Sequence, residues 1–221
     1  RTLFIEGGTR ILTQFLTADA IDYLRMATAP FFVGDSHAPR FVHAGRFPHN
    51  KDRRMHLLST QAVEDMSVAI YALKASAEDY ARMEQAITLA AQCPPSKGAY
   101  SVGAVIVTED GQVFTGYSRE TAPTNHAEEE AILKAIQAGS RLTGATVYSS
   151  MEPCTTRKSK PASCSELIIL HRMKRVVFAA YEPPTFVTSL GEAVLRQAGI
   201  EVTILSDLAQ KALDVNRHLA K

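Results

Sequence analysis

With 221 residues, 46% of them apolar and 21% charged, the chain has the composition of one large or two modest globular domains. Its 24 basic and 23 acidic side chains leave a formal net charge of +1, which disfavours an extended surface for nucleic acid. Three cysteines are too few for a disulfide framework, and no apolar run approaches the roughly 18 residues of a membrane span, so a cytoplasmic protein with reduced thiols and no membrane contact is expected.

Thr2-Leu3-Phe4-Ile5 is a short apolar run of β-forming residues with no signal-peptide pattern. There is no initiator methionine, so the chain reads as beginning inside a domain. Glu6-Gly7-Gly8 leads into a helical pattern that places Ile11, Leu12 and Phe15 on one face. A Gly-Gly turn there lets a phosphate approach the positive helix end, although a plain tight turn uses the same residues. "AIDYLRMATAPFFVGD" reads as a helix end, a strand and a turn. The stretch after it is polar and rich in turn signals, and the apolar run "DMSVAIYAL" closes the first half. His37, His43, His49 and His56 lack a metal-binding spacing and read as surface or loop positions. Residues 74–79 form a linker between a first segment, 1–73, and a second, 80–221.

Beyond the linker, strands and helices alternate. "YARMEQAITLAAQC" is a helix that stops before Pro94-Pro95, and Cys93 at its end is a packing residue. "GAVIVTEDGQVFTGYS" is two strands joined across Asp110-Gly111. The helix "HAEEEAILKAIQAG", the strand "ATVYSS", the helix "SELIILHR" and the strand "RVVFAA" follow. Then come the helix "FVTSLGEAVLRQAG", the strand "EVTIL" and a closing helix, "DLAQKALDVNRHLA". This alternation predicts an α/β fold with a largely parallel sheet covered on both faces.

The residues that carry chemistry fall at the starts of successive elements. Asn125-His126-Ala127-Glu128 opens a helix, Pro153-Cys154 follows the next strand, and Cys164 precedes the next helix. One imidazole and two thiolates offer three ligands to Zn2+ and leave the fourth tetrahedral position for water. Zinc lowers the pKa of that water, and Glu128, two residues past His126, can shuttle protons without occupying a ligand position. This H-x-E…P-C order is that of the zinc deaminases. The loop between the cysteines carries Arg157, Lys158 and Lys160. Tethered at both ends to the metal, it either forms a solvated charge run or offers cations to a sugar phosphate.

These residues resemble the bifunctional deaminase and reductase of riboflavin biosynthesis. "VGAVIV", "HAE", "MEPC", the delayed Cys164, "RVVFAA" and "LRQAGIEV" carry the deaminase resemblance. "GYSRE" and the long Cys-to-Cys loop look more like the fungal-type branch. The resemblance implies a cytidine deaminase-like α/β/α sandwich with a mixed five-stranded sheet. It implies hydrolytic removal of the 2-amino group from a diaminopyrimidinone bearing a ribitylamino or ribosylamino 5'-phosphate. Asn125, Tyr100, Ser118, Arg119, Glu120, Arg157, Lys158 and Lys160 are the candidates for holding that small-molecule substrate, and a homo-oligomer is expected. "LFIEGGTRILTQFL", "DYLRMATAPFFVGD" and "APRF" resemble the C-terminal end of the pathway's dihydrofolate-reductase-like domain. By that resemblance Glu6 faces a pyrimidine and Gly7-Gly8 lies against NADPH. The reductase part reads as incomplete, because so short a segment cannot readily close such a core. An NADPH-dependent reductase, or a zinc deaminase for another aminated base or nucleoside, remains the alternative.

Overall fold

A computed structural model describes residues 3–94, 96–157, 159–182 and 190–219. Its contacts separate two units, Arg1–Ala77 and Glu78–Lys221.

The first unit contains helix α1 (Thr9–Thr17) and strands β1 (Tyr23–Thr28), β2 (His56–Val63) and β3 (Met66–Ala72), paired antiparallel in the order β1-β3-β2. Residues 3–8 run as coil rather than the expected strand, with Leu3 and Phe4 exposed. β-propensity needs a ladder to act on, and among the described residues the three strands of this unit pair only with one another. Strand β2 is not marked in the sequence, because its residues are mostly exposed and lack apolar alternation. It exists because β3 offers it a register, with Val63 opposite Met66 across Glu64-Asp65. Glu64 takes a left-handed φ of 54°, which a non-glycine residue seldom adopts. The core of this unit is small: Leu16, Leu24 and Leu73, flanked by Ile21, Val42, Phe47, Met55 and Tyr71.

The second unit is built on a five-stranded sheet in the order β5-β4-β6-β7-β8. Its strands are β4 (Gly103–Val107), β5 (Val113–Tyr117), β6 (Thr146–Met151), β7 (Arg175–Ala180) and β8 (Glu201–Ile204). The helices are α2 (Ala77–Ala90), α3 (Ala127–Gln137), α4 (Cys164–Leu170), α5 (Gly191–Gln197) and α6 (Ala209–Asp214). The β4–β5 and β4–β6 ladders are antiparallel, while β6–β7 and β7–β8 are parallel, so the sheet is mixed. The parallel half follows from the helical crossovers, and the antiparallel half from the hairpin, where Gly111 takes a φ of 85°.

Two glycines show how the helices lie on this sheet. A Cβ on Gly103 of β4 would collide with the α2 backbone at Ala86 and Ala90. One on Gly116 of β5 would collide with the α3 backbone at Ala127 and Ala131. Gly116 pairs with Ala104, the neighbour of Gly103, so the two glycines face opposite sides of the sheet. Helices α2 and α3 therefore cover opposite faces, which gives the three-layer α/β/α arrangement. On the α3 face of the sheet, Ile106, Val147, Val176 and Phe178 pack in one fully buried cluster with Ile168 of α4 and Leu195 of α5. Each such side chain contributes about 1.5–3 kcal/mol of burial free energy. No helix among the described residues is long and apolar enough to cross a membrane.

Candidate metal and deaminase centre

His126 is the N-cap of α3, in extended backbone conformation, and Glu128 lies in the first turn. Cys154 follows β6 by three residues. Cys164 is the first residue of α4, whose start is fixed by a capping box. Ser163 Oγ accepts from Glu166 N at 3.2 Å, and Ser163 N donates to Glu166 Oε2 at 2.7 Å. The "Ser-Cys-Ser-Glu" run thus sets both the helix start and the position of the second thiol.

These elements bring His126 Nδ1, Cys154 Sγ and Cys164 Sγ within 4.8 Å of one another. The imidazole nitrogen is 3.5 Å from Cys154 Sγ and 3.4 Å from Cys164 Sγ. A tetrahedral zinc with bonds of about 2.05 Å to nitrogen and 2.3 Å to sulfur sets such atoms about 3.5 Å apart. The donor set fits zinc in both chemistry and spacing. Cys164 N also donates to Cys154 Sγ at 3.4 Å, a bond that favours thiolate.

The charges follow this packing. Cys154 is pulled well below the ordinary thiol range by the hydrogen bond from Cys164, against its burial, with His126 adding to the effect. Cys164 moves the other way, because it donates that hydrogen bond and is buried beside Glu128. Burial disfavours a charged His126, but the hydrogen bond to Cys154 and its negative charge outweigh this and raise the imidazole pKa. Glu128 is raised first by its complete burial and then by the Cys154 charge, so it takes up a proton more readily than an ordinary carboxylate. Its Oε1 accepts from Ser149 Oγ at 2.9 Å, and its Oε2 lies 3.3 Å from Cys164 Sγ. The carboxyl group is thereby aimed at the sulfur side of the cluster from the first turn of α3.

The remaining candidates divide into two groups. Asn125 is buried beside the cluster: its Oδ1 accepts from Lys160 Nζ and its Nδ2 donates to Thr121 Oγ1 at 3.3 Å. Arg157 Nη1 and Lys160 Nζ donate to the two oxygens of Glu129, at 2.9 and 2.6 Å. Lys158 lies outside the described residues. The side chains of Ser118, Arg119 and Glu120 bond outside the cluster, and the Tyr100 carbonyl accepts from one of them. Ser118 Oγ bonds the backbone of Val102, and the Arg119 guanidinium holds the carbonyls of Pro94 and Tyr100. Arg119 has a left-handed φ of 64°, and its N–H donates to the Asn125 carbonyl at 2.9 Å. Glu120 accepts from Lys134 and from Tyr117 N. Together they brace the turn that delivers Asn125 and His126. In the first unit, Gly8 caps α1 with extended backbone, and Glu6 lies exposed in the coil before it.

Three further residues, Ser149, Glu129 and Glu152, shape the centre. Ser149 orients Glu128, and nothing in its sequence context marks it. Glu129 gathers Arg157 and Lys160; the run of three glutamates in the first turn of α3 is its one visible trace in the sequence. Glu152, buried before Pro153, accepts the N–H of Glu192 at 2.7 Å in the first turn of α5. The acid of "MEPC" therefore anchors a later helix. Cys93 is half-buried with its thiol on the Val102 carbonyl, and His49 bonds the Leu73 carbonyl.

Residues 76–180 match the family model of the cytidine and deoxycytidylate deaminase zinc-binding region, and residues 1–68 match that of the RibD C-terminal domain. The diaminohydroxyphosphoribosylamino-pyrimidine deaminase of Schizosaccharomyces pombe is 44% identical over 127 residues, covering 57% of this chain and 31% of that protein. The riboflavin biosynthesis protein RibD of Aquifex aeolicus is 42% identical over 104 residues, 47% of this chain and 28% of its own. The chain thus spans about a third or less of these two relatives. Among solved structures, RibD of Acinetobacter baumannii (form 2) superposes with a TM-score of 0.55 at 33% identity, over 64% of this chain and 39% of that one. The Rib2 deaminase of Aspergillus oryzae in complex with DARIPP gives 0.55 at 26% identity, over 62% of this chain and 88% of that one. The resemblance to the riboflavin-pathway deaminase and reductase, and the cytidine deaminase-like fold it implied, are borne out.

Proposed function

We propose that the second unit is a zinc-dependent hydrolytic deaminase, a reading supported by the match of residues 76–180 to the zinc-binding deaminase model and of residues 1–68 to the RibD C-terminal model. Its substrate is a diaminopyrimidinone carrying a ribitylamino or ribosylamino 5'-phosphate, by analogy with the activity named for the Schizosaccharomyces pombe relative. The observation that carries the reading is the trio of His126, Cys154 and Cys164 at tetrahedral spacing, with the buried carboxyl of Glu128 against it.

His126, Cys154 and Cys164 would hold the zinc. When bound, the metal supplies a Lewis acid that brings the pKa of a water toward neutrality and keeps one position open. Glu128 takes a proton from the attacking water and delivers protons to the ring nitrogen and the departing ammonia. Its burial raises its proton affinity, which suits both halves of that transfer. Ser149 fixes the carboxyl orientation through its hydrogen bond to Oε1. Asn125 and Lys160, side by side at the cluster, are the proposed substrate contacts. Tyr100, Ser118, Arg119 and Glu120 act by bracing the preceding turn. A homo-oligomer remains part of the proposal.

The test is ammonia release from the reduced and unreduced pathway intermediates, with cytidine and guanine as controls. A pathway intermediate is the expected substrate, and preference for cytidine would sink the assignment. Glu128→Gln should lower kcat by about 10²–10⁴-fold while zinc stays bound. Unchanged turnover would leave the zinc a purely structural role. A second reading, NADPH-dependent reduction, is favoured by the family match of residues 1–68. A fluorescence titration of the chain that shows no NADPH binding removes it.

A further inference from the structure

The long loop between the two cysteines needs something to hold it. Ordering such a segment costs conformational entropy at each residue, and its cations would by default extend into solvent. In the structure Arg157 and Lys160 turn inward onto a single carboxylate. Arg157 is 5% exposed and Glu129 12%, so their ion pair is almost wholly desolvated. The Arg157 guanidinium does two things at once. Nη1 donates to Glu129 Oε2 at 2.9 Å, and Nε donates to the Ala162 carbonyl at 2.7 Å. Arg157 stands three residues after Cys154, and Ala162 two residues before Cys164. One side chain therefore ties both ends of the loop together and fastens them to α3. Lys160, from the middle of the loop, adds a second bond to Glu129 at 2.6 Å and reaches Asn125.

Glu129 itself is next to Glu128 and three residues from His126, in the first turn of the same helix. It sits where the rigid element carrying the imidazole and the proton shuttle meets the loop carrying both thiols. A carboxylate with two charge-assisted donors on its two oxygens fixes that junction in direction as well as distance. Such support around ligands sets their geometry, and its loss typically weakens metal binding by about 10–100-fold.

We propose that Glu129 is a positioning residue: through Arg157 and Lys160 it locks the Cys154–Cys164 loop onto α3 and thereby sets the spacing of His126, Cys154 and Cys164 for zinc. This rests on the zinc-site reading above but not on the identity of the substrate. It also gives Arg157 a role in bracing the loop.

The test measures the zinc dissociation constant of the full chain by competition with a chromophoric chelator, alongside the thermal melting curve. Glu129→Gln is expected to weaken zinc by about 10–100-fold. Glu129→Asp, which keeps the charge, is expected to recover most of that loss. Arg157→Lys keeps the charge but cannot span Glu129 and Ala162 together, so it too should weaken zinc by about 10-fold or more. A cooperatively folded Glu129→Gln chain with a dissociation constant within about twofold of the parent overturns the proposal. If that variant fails to fold, Arg157→Lys decides on the same criterion. The substrate assignment fails separately: a chain that binds zinc and shows this pattern, yet releases no ammonia from any pathway intermediate, sinks the deaminase proposal and leaves the role of Glu129 standing.

Discussion

Replacing Gly116 by alanine probes how the sheet delivers the metal-binding helix. A Cβ at this position would lie 2.7 Å from both Ala131 N and Glu130 Cβ, and closer still to the Ala127 carbonyl oxygen. Each of these atoms belongs to α3, and two are backbone, so no flexible side chain can turn aside. Restoring ordinary contact requires α3 to retreat from β5 by about 1 Å. Overpacking of this kind costs about 1–3 kcal/mol. For a unit of this size each kcal/mol lowers the melting temperature by about 2–4 °C, so a fall of about 2–12 °C is expected. The same shift moves His126, the N-cap of α3, away from thiols that it now meets at 3.4 and 3.5 Å. Metal bond lengths tolerate only about 0.2 Å, so zinc affinity should fall by about 10-fold or more. Circular dichroism melting and chelator competition measure the two effects. A variant that melts within about 1 °C of the parent and binds zinc equally well would refute the claim that this close approach places the helix.

Asp79, 3% exposed in the first turn of α2, accepts from Arg175 at the start of β7 and from Tyr148 of β6. Asp79→Ala removes one partner of that buried pair and should cost about 3–5 kcal/mol in denaturant unfolding, with zinc affinity unchanged because Arg175 opens its strand at the end away from Cys154. In the first unit, burial pushes the Asp19 carboxyl up, but hydrogen bonds from Lys74 and Arg53 outweigh it and hold its pKa below the usual value. A depressed folded pKa contributes stability that is present above about pH 4 and is lost as pH falls through the folded value. Asp19→Asn should therefore flatten the acid limb of unfolding below about pH 4 and leave its shape near neutrality unaltered, as read from melting curves across that range.

The chemistry of the centre was legible because it depends on residue type and order. His126-Ala127-Glu128, Pro153-Cys154 and Cys164 each stand at an element boundary, and boundaries are marked locally by turn residues, caps and changes of period. The alternation of strands and helices in the second unit was legible for the same reason. β2 was not, since its exposed residues carry no alternation and it forms only because β3 pairs with it. The run at Leu3 to Ile5 failed in the opposite sense, having strand propensity but no ladder among the described residues.

The sequence by itself determined which donors exist and how far apart along the chain they lie. Only the tertiary structure decided what the neighbouring charges do. Arg157 and Lys160 stand in a cation-rich loop, and long side chains reach whatever partner the fold presents. Here that partner is Glu129, brought within hydrogen-bond distance because α3 rests closely on β5 at Gly116. Three successive glutamates in one helical turn, alike in sequence, thereby take three different surroundings. Glu128 faces the thiols, Glu129 clamps the loop, and Glu130 holds Thr121. Successive residues of a helix point about 100° apart, so each meets a different neighbour, and those neighbours come from distant parts of the chain.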